Sequence, residues 1–145
     1  TDKDYLLANE IEKIKEFLMN FRVSVIKCFI LYNVFSGRAK RAEFWWFFLF
    51  TAIVGIMGSI ADSTLGTIKV FDNNNEIGLF QSLLQIVMLL PGLAVGTRRL
   101  HDTNKSGWWQ LLWFIPIFGW IPLLIFMIFP SNDDENKYSI PEIEE

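Results

Sequence analysis

Residues 106–132 read SGWWQLLWFIPIFGWIPLLIFMIFPSN, twenty-seven residues without a charge. A helix needs about 20 apolar residues to cross a hydrocarbon core of roughly 30 Å, so this stretch is long enough to span a bilayer. Pro116, Gly119 and Pro122 interrupt it. Proline removes a backbone donor and bends a helix. Two forms compete: one kinked crossing helix over about residues 108–129, or a re-entrant hairpin turning at Ile117, Phe118 and Gly119. The hairpin puts both ends of the stretch on one side of the membrane. Irregular backbone at membrane depth must be covered by protein, and few helices are available as cover. The kinked crossing helix is therefore the expected form.

Two more uncharged stretches precede it, Phe44 to Ala61 with eighteen residues and Ile77 to Thr97 with twenty-one. The shorter can be accommodated by local bilayer thinning or interfacial anchors. Trp45 and Trp46 open the first, as Trp108 and Trp109 open the third, and tryptophan favours the headgroup boundary. The chain is 52% hydrophobic, with fourteen Phe and six Trp among its 145 residues. A soluble domain of this size has too little interior to hide that surface. The predicted fold is an all-α integral membrane protein with spans at about 44–61, 77–97 and 108–129.

An N-terminal arm, residues 1–36, precedes the membrane domain at 37–132, and an acidic tail follows at 133–145. In the arm Leu7, Ile11, Ile14, Leu18, Phe21, Val25, Cys28 and Tyr32 recur at steps of four and three, which places them on one helix face. Arg22 and Lys27 break any spanning run. The spacing predicts an amphipathic helix that lies in the interface or packs on the spans, in preference to a coiled coil with another copy. Gly37 is the expected end or bend.

Three crossings put the arm and the second loop on one side, with eleven Lys and Arg against two opposite. Basic residues favour the cytoplasmic side. The N-terminus is thus expected in the cytoplasm, and the tail outside. One cysteine and one histidine leave no cysteine cage or multi-histidine metal site. No nucleophile elbow, P-loop, zinc-protease helix or dinucleotide fingerprint is present. No catalytic residue, cofactor or nucleic-acid partner is expected.

Two motifs fall at the cytoplasmic ends of spans. One runs from Phe35 through Gly37, Arg38, Lys40, Arg41 and Glu43 to Trp46. The other runs from Arg98 through Arg99, His101, Asp102, Lys105, Ser106 and Gly107 to Trp109. Together they resemble a bacterial inner-membrane family, domain of unknown function 805, the YhaH-like proteins. The resemblance rests on a Gly-Arg-x-x-Arg-x-Glu-Phe-Trp element at Gly37–Trp45. It also rests on an Arg-Arg-Leu-His-Asp string after Pro91 that continues to Ser-Gly-Trp-Trp at Trp109. Pro116 with Gly119, and Asn136 with Tyr138, extend it over about residues 35–138. It implies a small bacterial inner-membrane protein and supplies no activity.

The plainer reading of the basic residues is that they set topology and touch headgroups. Glu43 and Asp102 then pair with neighbouring cations, and Ser106 starts the third helix. The sharper reading is an anion or lipid-headgroup pocket of Arg38, Arg41, Arg98, Arg99, His101 and Lys105, with Trp108 or Trp46 closing over it. The expected function is a non-enzymatic scaffold or partner module, with binding of anionic phospholipid or a small anion, even as a transport component, as the alternative. Membrane lipids, a second copy or a partner membrane protein are the expected partners. Gly55 with Ser59, and Gly92 with Gly96, are expected to let helices approach closely, and Gln81 and Gln85 to bond across them.

Overall fold

The computed structural model describes residues 2–66, 78–131 and 136–139, without the side chains of residues 2–5. Lys69, Asp72, Glu76 and most of the acidic tail lie outside the described residues. Every regular element among those described is helical. Helix α1 covers Asp2–Ile30, α2 Arg41–Leu65 and α3 Leu79–Asp102. A 3₁₀ segment comes next at Gly107–Phe114, and then a short helix α4 at Trp120–Ile128.

Helices α2 and α3 are long and apolar enough to cross a membrane. They pair antiparallel, and Gly58 of α2 is their point of close approach. A Cβ there would lie 2.9 Å from a Leu84 methyl carbon and 3.3 Å from the Gln81 Cα. Gly55 and Gly92 do not play the part expected of them, because a Cβ on Gly55 meets nothing within 4 Å and one on Gly92 only the rim of Phe47. At the far end of the pair, the Asp62 carboxylate accepts from the backbone N–H groups of Phe80 and Gln81 at 3.0 and 2.9 Å. It satisfies two of the orphan donors that open α3.

The third stretch corrects the expectation of a single crossing helix. The 3₁₀ segment runs inward from the Asp102 end of α3, turns over residues 115–119, and α4 returns to the same end. Ser131, just beyond α4, accepts a hydrogen bond from the backbone N–H of Arg41, the first residue of α2. Residues 136–139 dock on His101, so this part of the tail lies at the N-terminal end of α2 and not on the opposite side. The stretch is a hairpin whose two ends meet at one end of the bundle.

Local chemistry explains the turn. Pro116 and Pro122 cannot donate to a continuous helical ladder. Ile117 has φ 64°, and the peptide N–H groups of Phe118 and Gly119 close tight turns onto the carbonyls of Pro116 and Ile115. A Cβ on Gly119 would overlap the Leu112 carbonyl oxygen. Only glycine fits there. Trp120 Nε1 donates to the Trp113 carbonyl at 3.0 Å and ties the two arms together.

Helix α1 ends at Ile30, before Gly37, which lies in the linker to α2 with φ 80°. Phe17 and Phe21 pack edge-on against Trp46, and Phe29 against Phe47 and Phe50. The contacts of α1 continue to Lys27, which reaches Glu43 in the first turn of α2. Only Val25 and Cys28 of the predicted seam are buried, while Leu7, Ile11, Ile14 and Leu18 stay exposed.

The hairpin tip makes a direct expectation. Gly119→Ala forces a methyl group into backbone that cannot yield, at a cost of about 1–3 kcal/mol. Ile117→Gly relieves a β-branched residue from the left-handed region. Thermal unfolding in detergent should fall for the first and hold or rise for the second. Equal melting of Gly119→Ala and the parent would contradict the hairpin.

Candidate functional site

The hairpin brings four segments to one end of the bundle: the linker before α2, the end of α3, the end of α4 and residues 136–139. The two motifs meet there, and their charges pair. Glu43, 5% exposed in the first turn of α2, binds Arg98 Nη1 through Oε1 and Lys27 Nζ through Oε2, both at 2.7 Å. Asp102, 2% exposed in the last turn of α3, binds Arg38 Nη2 at 2.8 Å and the Arg99 guanidinium through its other oxygen. Each carboxylate thus bridges two cations.

Arg99 is fully buried. Besides Asp102, its guanidinium donates to the carbonyls of Met127 and Phe126, at 3.3 and 3.4 Å, and of Phe129, and to Ser131 Oγ. Helices leave their last carbonyls without intrahelical partners, and a cation there also meets the negative end of the helix dipole. Arg99 caps α4 from another helix. Trp45 Nε1 adds a bond to the Met127 carbonyl at 3.2 Å, and Arg41 Nη1 approaches the Ile128 carbonyl at 3.5 Å.

His101 is held between neighbours. Its ring stacks on Tyr138 at 3.8 Å between centroids with planes 3° apart. Its Nδ1 lies 3.1 Å from the Gly37 carbonyl, which requires the proton on that nitrogen. Asn136 Nδ2 donates to the His101 backbone carbonyl, Asn136 Oδ1 accepts from the Tyr138 N–H, and Arg38 Nη1 donates to Ser139 Oγ. The Asn-x-Tyr element is thus a clip across both motifs.

The remaining predicted site residues do not converge. Arg38 and Arg41 do not share a helix face: Arg38 precedes α2 and turns to Asp102, while Arg41 is exposed. Lys105 lies 5.4 Å from the Phe126 ring centre. Trp108 is 78% exposed, and Trp46 packs on α1, so neither closes over the cluster. Ser106 does cap the next element, accepting from the Trp108 N–H at 3.4 Å, though that element is 3₁₀ and not α-helical.

Lys27, Cys28 and the α4 carbonyls are cluster members that sequence reasoning missed. Lys27 had a signal, as a charge placed one residue from the apolar seam. Cys28 is buried beside Arg98. Burial, then the nearby Glu43 charge, push its thiol up to about 12 against the opposing pull of Arg98. Arg98 is itself 1% exposed, and its Nε and Nη2 meet no oxygen or nitrogen partner among the described residues. No group of three or more His, Cys, Asp or Glu suited to a metal ion occurs among those residues.

The chain has relatives among known proteins. A family model described as "Protein of unknown function (DUF805)" matches residues 32–140. Inner membrane protein YhaI of Escherichia coli K12 is 38% identical over 120 residues, covering 83% of this chain and 92% of that protein. Inner membrane protein YhaH of the same strain is 33% identical over 120 residues, covering 83% and 93%. The uncharacterized protein YiiR is 31% identical over 90 residues, covering 61% of this chain and 53% of its own length. No solved structure matches.

Two outcomes are expected of the cluster. Asp102→Asn leaves the buried Arg99 and the partly buried Arg38 short of charge and should cost about 3–5 kcal/mol, toward the lower end because the amide oxygen still accepts. Lys40→Gln, at an exposed side chain, should change stability by less than about 0.5 kcal/mol. Thermal unfolding in detergent measures both. Thiolate is the reactive form of cysteine, so Cys28 should resist iodoacetamide in the folded protein through about pH 9 and react once unfolded. Rapid labelling of the folded protein under those conditions would contradict the buried, protonated thiol.

Proposed function

The chain belongs to the DUF805 family of bacterial inner-membrane proteins, and from that premise we propose that it is a non-enzymatic module that holds a partner membrane protein through its apolar surface. The observation that carries this reading is the use made of the motif cations. Arg38, Arg98, Arg99 and Lys27 are engaged by Glu43 and Asp102, and Arg99 also by the α4 carbonyls. A headgroup pocket among Arg38, Arg98, Arg99 and His101 would have to break those pairs. Breaking a buried pair costs several kcal/mol. The cluster is better suited to clasp the hairpin than to exchange a ligand.

The binding surface is then the apolar one. Leu7, Ile11, Ile14 and Leu18 are exposed on one side of α1. An apolar face of this kind on an arm in the membrane interface enters lipid or meets a neighbour. The hairpin also strengthens the charge argument for orientation. With the tail returned to the arm's side, twelve Lys and Arg stand on one side against Lys69 on the other. That side is the cytoplasmic one by the basic-residue bias. The protein crosses the membrane twice in this reading, with both termini in the cytoplasm.

Cysteine accessibility tests the topology, and a co-purification assay tests the role. In a Cys28→Ala background, Lys40→Cys and Lys137→Cys should both react with an impermeant maleimide in inverted vesicles and neither in spheroplasts. Reaction of Lys137→Cys in spheroplasts alone would sink the two-span topology. For the role, the exposed face of α1 is the handle: Ile11→Ser with Leu18→Ser should reduce the membrane partners recovered by cross-linking while the melting temperature holds. Loss of those partners on Arg99→Gln at an unchanged melting temperature would make the cluster itself the contact and overturn the clasp.

A further inference from the structure

A cavity of about 430 Å³ lies between α2, α3 and the hairpin. Its size falls within the roughly 300–1,000 Å³ of small-molecule sites. Phe44, Phe47 and Thr51 wall it on α2, Met88 on α3, and Trp113 and Met127 on the hairpin. The walls are mainly apolar, with Thr51, Gln85 and Gln110 the polar side chains among them. Gln110, the main polar group near the inner end, is engaged with the Leu93 carbonyl and Thr97 Oγ1 at 3.0 and 2.6 Å.

Two glycines keep this space open. Gly55 and Gly92 both line it from facing helices. A Cβ on Gly55 meets nothing within 4 Å, and one on Gly92 reaches only Phe47 at 4.0 Å. Close helix packing does not account for them, because Gly58 performs that task. From Phe44 to Gly55 the groove follows eleven residues of α2, about 16 Å of helix rise. That is about half of the roughly 30 Å hydrocarbon core, the depth of one leaflet.

Arg41 stands at the inner end of this groove. It precedes Phe44 by three residues on the same side of α2, and its guanidinium approaches the carbonyl of Ile128, next to the lining residue Met127. That 3.5 Å approach is its one side-chain hydrogen bond among the described residues, and the residue is exposed. Of the motif arginines, Arg41 alone makes no ion pair with a carboxylate among those residues.

We propose that the groove holds one acyl chain of a phospholipid from the leaflet on the Arg41 side, with the lipid phosphate against the Arg41 guanidinium. The depth of the groove matches one leaflet, its walls match hydrocarbon, and a cation waits where the phosphate of such a lipid lies. The site is distinct from the paired cluster, which keeps its own partners when the lipid binds.

Native mass spectrometry of the full chain, released from a mild detergent with Escherichia coli polar lipid added, tests the site. The parent should retain one phospholipid. Gly92→Leu and Gly55→Leu fill the groove from opposite walls, and each should lower retention at least tenfold while melting at or above the parent temperature. Arg41→Gln should keep the groove but weaken the preference for phosphatidylglycerol over phosphatidylethanolamine severalfold. Unchanged retention in both leucine variants would overturn the proposal, as would a lipid-free parent. A lipid-free dimer that either leucine variant dissociates would assign the groove to a second copy and overturn it equally. Should one leucine variant fail to fold, the other and Arg41→Gln decide.

Discussion

The carbonyls at the end of α4 are the constraint on which the structure depends. A hairpin that turns back along the bundle must end its helix somewhere, and a buried helix end exposes carbonyl oxygens that need partners. Here Phe126, Met127 and Phe129 are met by side chains from other helices, Arg99 and Trp45. Arginine suits the central position because its planar fork offers five donors, and Arg99 uses them on three carbonyls, a hydroxyl and a carboxylate at once. A lysine ammonium is a single point with three donors and cannot span the same set.

Burying that guanidinium creates a second requirement, a counter-charge. Asp102 supplies it from one turn along α3 and also draws in Arg38 from the linker. The linker's position in turn sets where α2 begins, and the Ala39 N–H donates to the Arg98 carbonyl. Glu43 repeats the arrangement one helix away, between Arg98 and Lys27. Two carboxylates and four cations thus lock α1, α2, α3 and α4 at one end. Buried ion pairs add little net stability over apolar packing. Their role here is geometric, because they fix which carbonyls and which helix ends meet.

The two long apolar helices were legible because lipid imposes one requirement, a charge-free run of sufficient length, that a sequence displays directly. The hairpin was legible only in part. Pro116 and Gly119 marked the turn, and the turn falls where their spacing placed it. What the sequence concealed was the cover. Counting helices suggested too few to shield irregular backbone, but shielding comes from side chains, and one buried arginine replaces much of a helix. Arg99 read as a basic residue at a membrane edge, since nothing in its local pattern distinguishes a solvated arginine from a buried one. The same holds for Arg98. Gly55 and Gly92 read as packing glycines, because spacing records the absence of a side chain and not what fills the space.

The arm divides by the same logic. Its C-terminal half belongs to the fold: Lys27 completes Glu43, Cys28 packs in the core with Ala39, Phe47 and Val95, and its phenylalanines meet Trp46 and Phe50. Its N-terminal half carries the seam forward through Leu18, Ile14, Ile11 and Leu7, exposed among the described residues. A continuous seam would be wasteful in a helix that needed only its last turns to dock. Helix α1, Asp2–Ile30, lies before the region the family model matches, yet its Lys27 supplies a partner to Glu43 inside that region. The arm is therefore not an appendage to the membrane domain. It is anchored to the clasp at one end through Lys27 and Cys28, and the exposed apolar face extends from that anchor.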